Sequence, residues 1–373
     1  MPLSRRRLLL ASGAMIAMPR IAIARPDFPS ERIAPMIMVG FDGPNAAAWG
    51  VREMTAHIAA GRVGGICFIA KNAVSRPGVE SITKLFHGAS ERWPLLMAID
   101  QEGGQVQRLS SHLGFGFEPS PAQVSNTLST DQARTVYRAM AVQMRKSGFN
   151  LNLAPVVDLG FEPRNVLITQ MGRTFGDDPA SVVRYSRAFV AGHRDEGVLT
   201  ALKHFPGHGS ALADSHDGAV DVTKTWRESE LAPYTCLTAE VMVDIIMTGH
   251  VSHQTLTDGL PASLSTPAIA GMLRGRVGFS GVVITDDLDM KAVRRKFSRE
   301  EAVIRAVAAG NDILLATNDD GDHNLPLTMI MAVQKGIRDG RIDPDGVVAS
   351  VRRIEALKAG IAGRMRQRVA GRA

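Results

Sequence analysis

Eight short apolar runs recur along the 373-residue chain, and each is continuous rather than alternating. They are MIMVGFDG (36–43), GGICFIAKN (64–72), LLMAIDQEGG (95–104), NLNLAPVVD (150–158), LTALKHFPG (199–207), DIIMTGH (244–250), GVVITDD (281–287) and DILLAT (312–317). A strand with one wet face alternates polar and apolar side chains. A strand covered on both faces has no reason to alternate, and parallel strands are of that kind. Helix-period segments separate the runs, such as DQARTVYRAMAVQMRKSG (131–148) and DPASVVRYSRAFVAGHRDEG (178–197). Asp178 and Pro179 suit an N-cap and a first helical residue, and Gly197 suits a stop. Eight strand–helix units predict an α/β fold of the single-domain (β/α)8 TIM-type barrel class. A doubly wound sheet is the competitor. It commonly has fewer strands, and no G-x-G-x-x-G follows the first run.

No linker divides this pattern, but the first residues stand apart from it. Three arginines, Arg5 to Arg7, precede an apolar run from Leu8 to Met18, and Ala22 and Ala24 then form an A-x-A arrangement. That order of charge, apolar run and small residues is the pattern of an export signal, and SRRRLLL resembles the twin-arginine type. The expected division is therefore a signal over 1–24 and a barrel domain over 25–373, with a periplasmic or secreted location if the signal is used and a cytoplasmic one otherwise. A frayed basic arm is the plainer alternative. The run is too short for a stable membrane span.

The formal charge is +6, but four of the arginines behind it (Arg5, Arg6, Arg7 and Arg20) lie in 1–24, where there is no acid. The remainder is nearly balanced, and no aromatic-and-basic stripe marks a nucleic-acid partner. The two cysteines, Cys67 and Cys236, do not make a disulfide framework and are read as packing residues.

Polar residues gather at the C-terminal ends of the apolar runs: Asp42, Lys71, Asn72, Asp100, Asp158, Lys203, His204, His250 and Asp286. A barrel brings those ends to one mouth, where barrel enzymes keep their sites. Strands must end in something polar, which accounts for one or two of these residues but not for a Lys-His pair leaving an apolar run.

Four stretches carry candidate chemistry. In VVITDDLDM (282–290), alternation lets only one of Asp286 and Asp287 face the mouth. Asp286 takes the chemical role, as nucleophile or electrostatic stabiliser, and Asp287 a structural one, with Asp287 or Asp289 a possible N-cap. In AIDQEGGQVQRL (98–109), Asp100 and Arg108 could hold sugar hydroxyls, although an Asp–Arg pair on a surface turn is the preferred reading if the stretch stands alone. MGRTFGDDP (171–179) sets Arg173 in a glycine-flanked loop, where taken alone it reads as a surface arginine. The richest stretch is ALKHFPGHGSALADSH (201–216), with Lys203 and His204 at a strand end and a long loop beyond. Asp214 and His216 are two apart, so in extended backbone both face one way. A carboxylate beside imidazole raises its basicity and fixes its tautomer, which makes a proton-transfer pair. The rival is a zinc site of His204, His208, His216 and Asp214, although no H-x-x-x-H helical spacing supports it.

Taken together and in order, AIDQEGGQVQRL, NLNLAPVVDL, GRTFGDDP, KHFPGHG, DSH and GVVITDDLDM resemble glycoside hydrolase family 3, and within it the single-domain β-N-acetylglucosaminidases. The resemblance covers roughly residues 33 to 360. It implies a retaining exo-glycosidase acting on terminal β-linked N-acetylglucosamine of peptidoglycan fragments or chito-oligosaccharides. Asp286 would be the nucleophile, His216 the acid–base and Asp214 its charge partner. Asp100, Arg108, Arg173, Lys203 and His204 would bind sugar. It implies no cofactor and no metal. A family-3 β-glucosidase or glycoside phosphorylase is the enzymatic alternative, and an exported sugar- or cell-wall-binding protein with a decayed site is the non-enzymatic one. Three departures from the family pattern fall around the site: Ser210 to Ala213 (SALA), the DGAV after His216, and Gln105 where arginine is usual.

Overall fold

The computed structural model describes residues 28–91 and 94–370. The proposed signal over 1–24 lies outside the described residues. Each apolar run supplies one strand. These are β1 (Ile37–Val39), β2 (Gly65–Phe68), β3 (Leu96–Ile99), β4 (Leu151–Asn152), β5 (Leu199–Phe205), β6 (Ile245–Thr248), β7 (Val282–Thr285) and β8 (Leu314–Ala316). They pair in parallel in chain order from β1 to β7, and β8 pairs with β1. A parallel bridge between Ile284 and Ile313 joins β7 to β8 and closes the ring. The protein is thus a (β/α)8 barrel. Every residue of these strands is buried, which is why the runs do not alternate.

Helices return the chain outside the ring. They include α1 (Trp49–Ala59), α2 (Arg76–Ala89), α3 (Thr130–Lys146), α4 (Pro179–Asp195), α5 (Ala232–Ala239), α6 (Arg299–Ala309), α7 (Leu325–Arg338) and α8 (Pro344–Ala370), with a π-type helical segment, Pro267–Arg276, between β6 and β7. Local chemistry sets their ends. Ser129 and Gln132 form a capping box at α3, and the Asp178 carboxylate accepts Ala180 and Ser181 N–H at α4, where Pro179 is first in the helix.

Two sequence expectations need correction. Cys236 is not a packing residue: it is exposed on α5, whereas Cys67 is buried in β2, and neither is in a disulfide. Nor does the alternative cap at Asp287 or Asp289 form: the next helix, the short Lys291–Arg294, has Met290 at its N-cap and no side-chain cap bond. Among the described residues no helix is long and apolar enough to cross a membrane.

Candidate active site

Strand ends point their last side chains into the barrel mouth, and the site is built there. Asp100, just past β3, and Lys203, in β5, meet at 2.6 Å. Glu102 lies two residues beyond Asp100 and receives the same ammonium at 2.7 Å. Its other contacts come from Arg173, whose Nε and Nη2 donate at 2.7 and 2.8 Å in a two-pronged pair. Glu102 is 1% exposed and Arg173 6%. Burial by itself would raise the Glu102 carboxyl. The two cations outweigh it and hold the group well below the usual carboxylate range. Arg108 lies across the cleft, with Nη2 3.9 Å from Asp100.

A second cluster holds β5 against the segment after β4. The Asp158 carboxylate accepts His204 Nδ1 at 2.7 Å, His204 N–H at 3.1 Å and His208 N–H at 2.8 Å. With Nδ1 committed, His204 keeps Nε2 for the cleft, which it lines. The His208 ring is buried, and its nitrogens have no hydrogen-bond partner among the described residues. Burial, with His204 beside it, pulls His208 down to about 4, so it is neutral at pH 7.

Asp286 follows β7 and is partly open to the cleft. Its Oδ1 accepts the N–H of Asp287 at 2.8 Å. Burial pushes its carboxyl up, but His250, His204, that N–H and Lys203 prevail and hold it at about 2. It is a carboxylate at neutral pH, poised as a nucleophile requires. Asp287 points the other way. It accepts from Thr317 N–H and Oγ1 at 2.9 and 2.6 Å and from Asp289 N–H at 3.0 Å, tying the end of β7 to the end of β8. Burial raises Asp287 to about 7. The neighbouring carboxyls therefore differ by environment, as alternation requires.

Above them runs the loop from Pro206. The Asp214 carboxylate lies 2.7 Å from His216 Nδ1 and also accepts His216 N–H at 2.8 Å. That leaves His216 Nε2 free to exchange a proton. The loop tip is docked on the turn after Asp286: Ala292 N–H donates to Ser215 O at 3.3 Å, and Lys291 and Asp217 approach to 3.7 Å. Part of this loop is ordered by a two-residue parallel ladder, Val220–Asp221 with Val251–Ser252, which the sequence did not announce.

Two adjoining cavities, about 280 and 250 Å3, share Asp100, Arg108, Lys203, His216 and Asp286 as lining. Arg173 and His204 line the second. The residues given a nucleophilic, proton-transfer or sugar-binding role from sequence thus border this one cleft, except Asp214, which reaches it through His216; Asp42, Lys71 and Asn72, also at strand ends, do not line it. Sequence reasoning missed Glu102 as a site residue, although its spacing of two from Asp100 was a signal. It also left Asp158 and His250 as mere strand ends. The rival zinc grouping is not brought together: no group of His, Cys, Asp or Glu placed to hold a metal ion occurs among the described residues.

Comparison with known proteins places this cleft in context. The family model described as "Glycosyl hydrolase family 3 N terminal domain" matches residues 30–357. A Mycobacterium tuberculosis protein named beta-hexosaminidase LpqI is 38% identical over 273 residues, spanning 71% of this chain and 68% of the relative. A beta-hexosaminidase of Xylella fastidiosa is 35% identical over 294 residues, 76% of this chain and 84% of its own. Among solved structures, a family-3 β-N-acetylglucosaminidase from a Paenibacillus species superposes with TM-score 0.81 at 31% identity, covering 89% of this chain and 62% of that one. This chain thus spans under two thirds of that enzyme's length. The structure of M. tuberculosis LpqI gives 0.77 at 34% identity, covering 89% of this chain and 94% of the other.

Proposed function

The chain belongs to glycoside hydrolase family 3, and from that premise we propose that it is a retaining exo-β-N-acetylglucosaminidase acting through Asp286 and His216. The observation that carries the reading is the pairing of two unlike groups across one cleft. Asp286 is a carboxylate held ionised among cations and N–H groups. His216 is an exposed imidazole oriented by Asp214 on a loop docked over it. In the first step an Asp286 oxygen bonds to the anomeric carbon as the bond to the leaving oxygen breaks, and His216 gives that oxygen its proton. In the second, water attacks the same carbon, His216 takes its proton, and the bond to Asp286 breaks. Asp100, Arg108, Lys203 and His204 offer acceptors and donors for ring hydroxyls, and the buried Glu102–Arg173 pair fixes Lys203 between Asp100 and Glu102. Names of the relatives support N-acetylglucosamine as the sugar removed, and the leaving groups of interest are peptidoglycan fragments or chito-oligosaccharides. The domain extends over 25–373 behind a signal over 1–24, with export as its consequence. An aryl β-N-acetylglucosaminide should be turned over far faster than the matching β-glucoside, and phosphate should not accelerate it. Preference for the glucoside, phosphate-dependent product, or binding without turnover would each overturn the reading.

A further inference from the structure

The loop carrying His216 is mounted differently at its two ends. Towards its tip Leu212, Ala213, His216 and Asp217 face solvent, while Ser215 is buried and its carbonyl is docked on Ala292 N–H. Its base is buried and held by groups the chemistry above does not use. Ser210 is 3% exposed, and its hydroxyl donates to Glu230 Oε1 at 2.6 Å. Glu230, just ahead of α5, is 1% exposed. The same oxygen accepts the Arg227 N–H at 3.4 Å, and the Trp226 indole N–H donates to Pro206 O at 3.2 Å. Ala211 packs with Val220, Val222 and Val251 against Trp226.

The glycines around this point leave no slack. A Cβ on Gly207 would stand 2.3 Å from a Glu230 carboxylate oxygen, and one on Gly209 would stand 1.7 Å from Leu159 O. Glycine at 207 lets the backbone pass this close to the Glu230 carboxylate, and glycine at 209 lets it pass this close to Leu159. From Ser210 to the Asp214 carboxylate that orients His216 is only four residues. Only Ala211, Leu212 and Ala213 separate the two.

We infer that Ser210 and Glu230 are positioning residues for proton transfer: their buried hydrogen bond sets where the Asp214–His216 pair stands over Asp286. The inference rests on the proposed role of His216. It also gives the departure at SALA a function, because the first of those four residues supplies the donor.

The pair touches no substrate, so its loss should act through His216 alone. Protonation of the leaving oxygen matters for sugar or alkyl leaving groups and hardly at all for 2,4-dinitrophenolate, which departs unaided. Ser210→Ala and Glu230→Leu should therefore lower kcat on an N-acetylglucosaminyl disaccharide by about tenfold to a hundredfold, the cost of a small misplacement of a catalytic group. On the dinitrophenyl glycoside the first, glycosylation step, read as kcat/KM, should change by less than about threefold. Glu230→Gln keeps an acceptor for Ser210 and should recover most of the loss. Melting curves of each variant confirm folding, and two independent variants cover the failure of either one. His216→Ala is run beside them. If it shows the leaving-group dependence and the Ser210 and Glu230 variants do not, the inference falls and the role of His216 stands. If His216→Ala slows both substrates alike, the proposed mechanism itself falls. Equal losses on both substrates in Ser210→Ala and Glu230→Leu would also overturn the inference, since they would mark a general structural role.

Discussion

Replacing Glu102 with Gln keeps the side chain's size and removes its charge. Glu102 is 1% exposed and receives Arg173 twice, at 2.7 and 2.8 Å, and Lys203 at 2.7 Å. Removing one partner from a buried ionic cluster leaves the others uncompensated and costs about 3–5 kcal/mol. Lys203 retains Asp100 at 2.6 Å, whereas Arg173 is left with Leu167 O at 3.3 Å. The lower part of the range, about 3 kcal/mol, is therefore expected. KM should rise as well, because Lys203 and Arg173 line the cleft. The pH dependence is a separate check. The folded-state pKa of Glu102 is depressed by Arg173 and Lys203 against the opposing effect of burial. Its stabilisation is therefore complete above the unfolded value near 4.3 and is lost as pH falls below it. Urea unfolding of wild type and Glu102→Gln should show a wide gap at pH 7 that narrows towards pH 3. A gap under about 1 kcal/mol at pH 7, or one that does not narrow in acid, would refute the reasoning.

Asp287→Ala would strand Thr317 N–H and Oγ1 and Asp289 N–H in a buried site. It should cost about 2–4 kcal/mol in thermal unfolding. Glu118 is 3% exposed, and burial pushes its carboxyl up to about 7, only partly offset by the Gln143 amide. A raised carboxyl favours the folded state in acid and loses that advantage as pH climbs from the unfolded value to the folded one. Glu118→Gln should thus stabilise by about 1–3 kcal/mol at pH 8 and much less at pH 5, read from paired melting curves. The two thiols differ in access: Cys236 is exposed, while Cys67 is buried and its thiol pushed up by that burial. One thiol per chain should react with a disulfide reagent in the native protein and two in urea, without loss of activity in the singly modified form.

The barrel was legible because its physics is written locally. Strands buried on both faces show as continuous apolar runs, and caps such as Asp178 and Ser129 mark where helices begin. Asp100, Lys203, His204 and Asp286 were legible for the same reason, since a polar residue at a strand end must face the mouth or a neighbour. What escaped depends on distant partners. Whether Arg173 is a surface residue or a buried one is decided by Glu102, 71 positions away. The ladder between Val220–Asp221 and Val251–Ser252 has no local sequence signature. Cys236 was misread because a small apolar residue on a short helix gives no sign of which face is covered. The Asp289 carboxylate looked like a cap but is taken by Arg299, at 2.8 Å.

The central claim is that Asp286 forms a bond to the sugar. Incubation with a fluorinated N-acetylglucosaminyl donor that slows the second step, followed by peptide mass spectrometry, tests it directly. The account predicts one sugar per chain on the peptide containing VVITDDLDM, attached at Asp286, and no label in Asp286→Asn. Label on Asp287, on Glu102 or on any other residue, or inhibition with no covalent adduct, would contradict it.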